Sequence, residues 1–163
     1  MGIRSILSKP IAKWVVNDQK KWSLNPGKFQ SRLFKKLIKS GSNTQFGRDH
    51  NFDQIHNHAD FVQHVPIRDY EELKPYINEI LKGRKDVLWP GKPAYLAKTS
   101  GTTSGVKYIP ITKDSIPNHI NSARNALLSY VNETGNSTFL DKKLIFLSGS
   151  PTLTYTAGIP TGR

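Results

Sequence analysis

The chain contains no cysteine and a single methionine. Without cysteine there is no disulfide, no thiolate nucleophile and no Cys-ligated zinc, which suits a cytoplasmic protein. Acidic residues are scarce too: 12 Asp and Glu stand against 24 Lys and Arg, a formal net charge of +12. Long apolar runs are missing. No stretch approaches the ~18 residues of a membrane span, and residues 1–16 lack the uninterrupted apolar core of a signal peptide. Internal repeats, low-complexity tracts and linker-like boundaries are also absent from the sequence. What is present is 36% hydrophobic and 10% aromatic over 163 residues, enough for a domain with a proper core and too apolar for a disordered chain.

The positive charge is concentrated early. Up to Arg48 the only acid is Asp18. A basic half invites a nucleic-acid or anionic-membrane reading. The basic residues, however, fall between apolar ones at helical spacing. Phe29, Leu33 and Leu37 share a face, widened by Phe34 and Ile38, while Lys28, Arg32, Lys35, Lys36 and Lys39 crowd the rest. This is the pattern of a packed helix with a solvated face, so no nucleic-acid partner is assigned. Gly41 suits the residue that ends such a helix. Earlier, Ile3, Ile6, Leu7, Ile11, Trp14 and Val15 read as an amphipathic helix. Its Arg and Ser content also suits a transit peptide. The preferred reading is that its apolar side docks on the domain.

Residues 50–65 turn polar. His50, His56, His58 and His64 raise the question of a metal, since His-x-His can set two imidazoles on one side of a strand. No carboxylate-rich ligand set accompanies them, and no metal site is assigned. Val65-Pro66-Ile67 is an extended break. Asp69 then caps a helix, with Glu72 three residues on to complete a capping box. Leu73, Ile77, Ile80 and Leu81 form its apolar stripe, and Pro75 inside the stripe predicts a kink or restart. Gly83 ends the helix. Asp86-Val87-Leu88-Trp89 is expected as a short strand before a Pro90-Gly91 turn.

The most informative stretch is residues 95–112, YLAKTSGTTSGVKYIPIT. Two apolar runs flank a cluster of small hydroxylic and glycine residues, which predicts strand, polar loop, strand. Gly101 and Gly105 can take positive φ and bring the backbone close to a ligand. Successive N–H groups in such a turn can form a nest for an anion. The hydroxyls of Thr99, Ser100, Thr102, Thr103 and Ser104 add donors, and Lys98 and Lys107 add charge at the edges. Residue chemistry leaves two readings open: a phosphate cradle, or an ordinary hairpin loop. Gly-Lys-Ser/Thr does not follow a glycine at Walker spacing, and Gly-x-Ser-x-Gly is absent from the loop, so neither a P-loop nor a nucleophile elbow is present there.

Beyond the loop, a helix is expected to start at Asp114 or Ser115, with Pro117 in its first turn, and to end near Gly135. Ile116, Ile120, Ala123, Leu127, Tyr130 and Val131 mark its expected buried side. Arg124 is the one cation in its body and a weak candidate for a substrate carboxylate, a surface role being preferred. Lys142-Lys143-Leu144-Ile145-Phe146-Leu147 reads as a buried strand. It leads into Ser148, Gly149 and Ser150, since loops at the carboxyl ends of strands often line ligand crevices. The expected fold class is mixed α/β, with a helical region over about residues 1–84 and the start of a sheet over about residues 86–163.

Thr99-Ser100-Gly101-Thr102-Thr103-Ser104-Gly105-Val106-Lys107 resembles the phosphate loop of the adenylate-forming superfamily, which includes acyl-CoA synthetases and luciferases. Ser104 and Val106 stand where many of those enzymes carry glycine and proline. The match is closer to one branch, the acyl acid–amido synthetases of the auxin-responsive type. Thr44-Gln45-Phe46-Gly47-Arg48-Asp49-His50, Val65-Pro66-Ile67-Arg68-Asp69-Tyr70-Glu71 and Val87-Leu88-Trp89-Pro90-Gly91 are similar to that branch in order and spacing.

The resemblance implies an N-terminal fragment of a large adenylation domain, the rest of that domain and a small C-terminal domain lying beyond it. An end in mid-loop at residues 158–163 is expected on that view. It also implies ATP and Mg2+ as cofactors, a small carboxylic acid as substrate and an amino acid or other amine as acceptor. Thr99 to Lys107 would hold phosphate, and Ser148, Gly149 and Ser150 would lie near the acyl pocket. Two alternatives stay open: transfer to a thiol such as CoA, and a non-catalytic basic domain that binds anions or nucleic acid.

Overall fold

A computed structural model describes residues 2–101, 105–143, 145 and 152–162. Among these the elements run α1 (Ile3–Ser23), α2 (Pro26–Gly41), α3 (Gln45–Asp49), α4 (His58–His64), α5 (Tyr70–Leu81), β1 (Tyr95–Lys98), β2 (Tyr108–Ile111), α6 (Ile116–Thr134), β3 (Thr154–Thr156) and β4 (Ile159–Gly162). The class is mixed α/β, as the sequence implies. The chain divides into two compact units, one of Met1–Gln30 with Asp114–Leu147, the other of Ser31–Lys113 with Ser148–Arg163.

In the first unit α1 packs on α6. Ala12 and Val15 meet Leu128 and Val131, with Phe139 and Leu140 alongside. The hydroxyls of Ser5 and Ser137 are 2.6 Å apart in the buried seam. Asp141 caps the start of α1, its carboxylate accepting from the N–H groups of Gly2 (2.6 Å) and Ser5 (3.1 Å). A carboxylate there suits both the free N–H groups and the positive end of the helix dipole. The expected docking side is therefore wrong for α1: Ile3, Ile6, Leu7, Ile11 and Trp14 stay exposed, and of that set only Val15 is buried. The packed face instead carries Ser5, Ser8 and Ala12, a small-residue stripe at the same helical period. Small side chains let two helices approach closely, and a hydrophobicity pattern overlooks them.

Helix α6 starts after Ser115 with Pro117 in its first turn and ends at Gly135, left-handed at φ 67°. These are the expected limits. Its buried side is narrower than expected, however, since Ile120, Leu127 and Tyr130 are exposed while Leu128 and Val131 are buried. The expected strand at 142–147 does not form at Lys142, Lys143 or Ile145, and Ile145 is 89% exposed. Leu144, Phe146 and Leu147 lie outside the described residues.

The second unit is built on two interlocked motifs. Thr44 Oγ1 accepts the N–H of Gly47 at 3.0 Å and donates to the carbonyl of Gly41 at 2.7 Å, so it caps α3 and ties it to the end of α2. Gly47 is required there, because a Cβ would collide with the Gly41 carbonyl. The next two N–H groups, of Gln45 and Phe46, donate to the carbonyls of Asp86 (2.7 Å) and Val87 (2.9 Å). Residues 86–89, expected as a strand, are a loop for this reason: their carbonyls serve a helix N-terminus, and Asp86 takes a left-handed φ of 56°. In α5, Asp69 and Glu72 form the expected capping box. The helix runs through Pro75 as one element, so of the expected kink or restart the restart does not occur. Proline removes a single N–H, and burial of Tyr76, Ile77 and Ile80 holds both halves to the core.

The core joins Tyr76, Ile80, Val87, Leu96 and Ile159, flanked by Phe46, Leu73 and Leu81. On α2 the buried contacts are made by Ile38 and by Phe34, whose ring meets Phe61 edge-on at 5.9 Å. Of the expected face, Phe29, Leu33 and Leu37 are exposed, and the two residues expected to widen it, Phe34 and Ile38, carry the packing. The aromatic partner downstream selects the side, and spacing within α2 alone does not contain it.

The sheet order is β2-β1-β4-β3. Strands β1 and β2 are antiparallel with Lys98 opposite Tyr108; β4 runs parallel to β1 and antiparallel to β3. Residues 159–162 were expected in mid-loop, yet they form β4, with Ile159 and Thr161 buried. Ala157 (φ 49°) and Gly158 (φ 79°) supply the two positive-φ positions of a tight hairpin. Ala-Gly is not the usual signature of that turn, which hides the hairpin from a sequence reading.

Two substitutions separate core from cap. Leu96→Ala, at a fully buried position, is expected to lower unfolding free energy by about 2–5 kcal/mol. Asp69→Ala is expected to cost about 1 kcal/mol. Urea denaturation of the two variants checks the order, and equal midpoints would contradict it.

Candidate functional site

The glycine-rich loop joins β1 to β2 and is closed at its base by two hydrogen bonds. The Thr99 N–H donates to the Lys107 carbonyl at 3.0 Å. In return, the Lys107 N–H donates to Thr99 Oγ1 at 3.1 Å. Thr99 thus continues the ladder with its side chain where the strands part. Gly101 and Gly105 both take positive φ, +73° and +79°. A Cβ at Gly101 would lie 3.1 Å from Gly105 C and Val106 N and 3.2 Å from Val106 Cγ2. The two arms of the bend therefore touch at backbone distance. Thr102, Thr103 and Ser104, which complete the expected site, lie outside the described residues. Ser100 and Gly105 are exposed, and a Cβ at Gly105 would meet nothing within 4 Å. The bend is tight at one glycine and open to solvent at the other.

Two lysines flank it. Lys107 Nζ sits 5.2 Å from the Tyr70 ring centroid. Lys98 Nζ sits 5.8 Å from the Tyr108 ring and 3.4 Å from Thr154 Oγ1. The ion pairs found among the described residues involve Lys21, Lys74, Lys82 and Arg84, and neither loop lysine. An ammonium held by an aromatic face keeps its charge available to an anion, which a carboxylate partner would not allow. Hydroxyls, ammonium groups and glycine backbone form a donor set that fits phosphate oxygens. They do not form a metal-ligand set, and among the described residues no group of three or more His, Asp or Glu could hold a metal ion.

The remaining candidates are elsewhere or outside view. Arg124 is exposed on α6, in the first unit, with its guanidinium on Asn125 Oδ1 at 3.2 and 3.3 Å. Ser148, Gly149 and Ser150 lie outside the described residues. His50 and His64 have structural partners, and His64 Nδ1 lies 2.9 Å from the Asp60 carbonyl. His50 is buried, stacks on Phe46 at 4.0 Å and faces the Phe46 carbonyl with Nδ1 at 2.8 Å. A carbonyl only accepts, so Nδ1 carries the proton and Nε2 accepts from Arg68 at 3.2 Å. Tyr76 donates to Asp49 at 2.9 Å. Burial, then that hydrogen bond, raises the Tyr76 pKa.

A concavity of about 480 Å3 lies between α3 and α5, lined by Asp49, Arg68, Tyr76, Glu79 and Arg84 among others. It takes no residue from the glycine-rich loop. Glu79 in its wall is bonded by Lys82 and by Arg84, which hold its carboxyl below the ordinary range. Sequence reasoning missed Tyr70 and Thr154 as neighbours of the loop lysines. Neither lies near the loop in the chain, and no spacing rule links them to it.

The fold has a counterpart among solved structures. A solved GH3.15 acyl acid amido synthetase superposes with a TM-score of 0.71, over 88% of this chain and 25% of that one; at 20% identity it is the fold that is shared. Sequence is more specific. The family model for the GH3 family N-terminal domain matches residues 15–163, and the chain belongs to the GH3 family.

Among its relatives, indole-3-acetic acid-amido synthetase GH3.15 of Arabidopsis thaliana is 30% identical over 125 residues, 75% of this chain and 20% of that protein. Jasmonoyl–L-amino acid synthetase JAR6 of Nicotiana attenuata is 26% identical over 116 residues, 70% of this chain and 20% of that protein. The chain covers about a fifth of the length of these relatives.

The loop geometry makes a contrast between its glycines. Both lose by substitution with alanine, about 1–2 kcal/mol for a side chain in left-handed backbone. Gly101→Ala carries the added collision with Gly105 and Val106, so it should lower the unfolding midpoint more than Gly105→Ala. Equal loss in thermal melts of the two variants would contradict the closed bend.

Proposed function

We propose that this chain is the N-terminal part of the large domain of an ATP-dependent ligase that joins a carboxylic acid to an amine. The observation that carries the reading is the closed bend at Gly101 and Gly105 with Lys98 and Lys107 beside it. Family membership and the amide-forming activities for which the relatives are named support it. A carboxylate is a poor acyl donor because oxide is a poor leaving group. In the proposed reaction a carboxylate oxygen attacks the α-phosphorus of ATP, the bond to the bridging oxygen breaks, and pyrophosphate leaves. The amine then attacks the acyl carbon of the acyl-adenylate, AMP departs with the bonding pair, and the amine's proton is lost to solvent or base.

The loop does not need to reach the reacting carbon. It holds the β- and γ-phosphates so that the α-phosphate faces the acid, which is catalysis by positioning and charge stabilisation. Hydrogen bonds to an ionised acceptor contribute roughly 1.5–3 kcal/mol each, so three or four suffice for a polyphosphate. Lys107 acts as a point cation on the phosphate oxygens. Mg2+ would accompany the triphosphate, and no ligand for it is assigned to these residues. An amine acceptor is favoured over a thiol because the relatives named above are amido synthetases. The lack of cysteine fits a cytoplasmic enzyme, and no described helix is long and apolar enough to cross a membrane.

The test is acid-dependent ATP–pyrophosphate exchange by the complete polypeptide that carries these residues. Thr102→Val with Thr103→Val is expected to lower exchange by about tenfold or more, two lost charge-assisted bonds being worth at least that. Unchanged exchange would remove the loop from the reaction. Residues 1–163 alone are expected to show no exchange.

A further inference from the structure

The motif Val65-Pro66-Ile67-Arg68-Asp69-Tyr70-Glu71 has a chemical member among its structural ones. Arg68 is engaged with His50, and Asp69 with Glu72. Tyr70, the first residue of α5, points its ring at the glycine-rich loop. Its centroid is 5.2 Å from Lys107 Nζ, and its phenol oxygen accepts the N–H of Tyr108 at 2.8 Å. One side chain thus holds the cation of residue 107 and the backbone of residue 108.

We infer that Tyr70 is a positioning residue that aims Lys107 at the phosphates of a bound nucleotide, an inference that rests on the phosphate-loop reading above. Strand β2 is at the sheet edge, where an N–H has no neighbouring strand to bond, and the Tyr70 hydroxyl supplies the missing acceptor. The capping box on either side of Tyr70 fixes the start of α5, so the ring is presented from a rigid element. Lysine has a long flexible stem, and ordering it on arrival of the anion costs entropy. A tyrosine face reduces that cost without neutralising the charge. The second lysine is held alike, Lys98 Nζ lying 5.8 Å from the Tyr108 ring. Lys98, Tyr108, Tyr70 and Lys107 therefore form one connected set, two cations on two rings, with the rings joined through the Tyr108 N–H.

The test is a double-mutant cycle in the complete polypeptide, reading KM for ATP and kcat in acid-dependent pyrophosphate exchange. Lys107→Ala is the reference and is expected to raise KM for ATP about tenfold. Tyr70→Leu should raise it by about three- to tenfold with kcat changed less than twofold. In the Lys107→Ala background the same change should add less than about twofold, because its effect passes through that lysine. Tyr70→Phe keeps the ring and loses the acceptor, so an intermediate rise of about two- to threefold is expected, again absent in the Lys107→Ala background. Should Tyr70→Leu not fold, this second cycle decides.

Effects that multiply in the double variants would overturn the inference and leave the phosphate loop standing. So would a rise for Lys107→Ala with none for either Tyr70 variant. No rise for Lys107→Ala itself would overturn both.

Discussion

Two hydrogen bonds between Thr99 and Lys107 hold the glycine-rich bend shut at its base. Everything proposed for the site depends on that closure. With the base fixed, the positive-φ glycines bring the two arms to backbone distance. An open loop of the same composition would have to order itself around an anion and spend binding energy doing so. The same constraint fixes the backbone of Lys107, and the tyrosine beside it fixes the side chain.

The scaffold that carries this loop is organised by capping interactions more than by sheet. Thr44 and the carbonyls of Asp86 and Val87 fix the short helix α3, and Asp69 and Glu72 fix α5. Arg68 on His50 and Tyr76 on Asp49 lock the two helices to one another. The motifs around residues 44–50 and 65–71 are thus one joint seen from two places in the chain. Its output is a helix start aimed at the glycine-rich loop. A motif made mostly of structural residues can still decide where a charged side chain stands.

How much of this is legible in the sequence follows from the range of each interaction. The hairpin strands around the loop, the capping box at Asp69 and the limits of α6 are local, and the residues announce them. Which face of a helix is buried is not local. On α1 the small residues Ser5, Ser8 and Ala12 face α6, while large apolar ones face outward; on α2 a distant Phe61 chooses Phe34. Strand β4 pairs with β1 across more than sixty residues, and its Ala-Gly turn lacks the usual signal. At the site, glycine and hydroxyl content mark the loop, but the tyrosine that steadies its lysine is announced by nothing near it. Residues 102–104 and 148–150 lie outside the described residues and rest on residue chemistry, chain position and the family resemblance.

On the proposed function, a nucleotide's phosphates sit at this bend and not on the basic helix α2. An ATP analogue with a reactive acyl group on its terminal phosphate labels whichever lysine lies beside that phosphate, and mass spectrometry identifies it. Acylation of Lys107 or Lys98 is expected in the complete polypeptide, suppressed by excess ATP. ATP-suppressed labelling confined to Lys35, Lys36 or Lys39, with both loop lysines untouched, would contradict it.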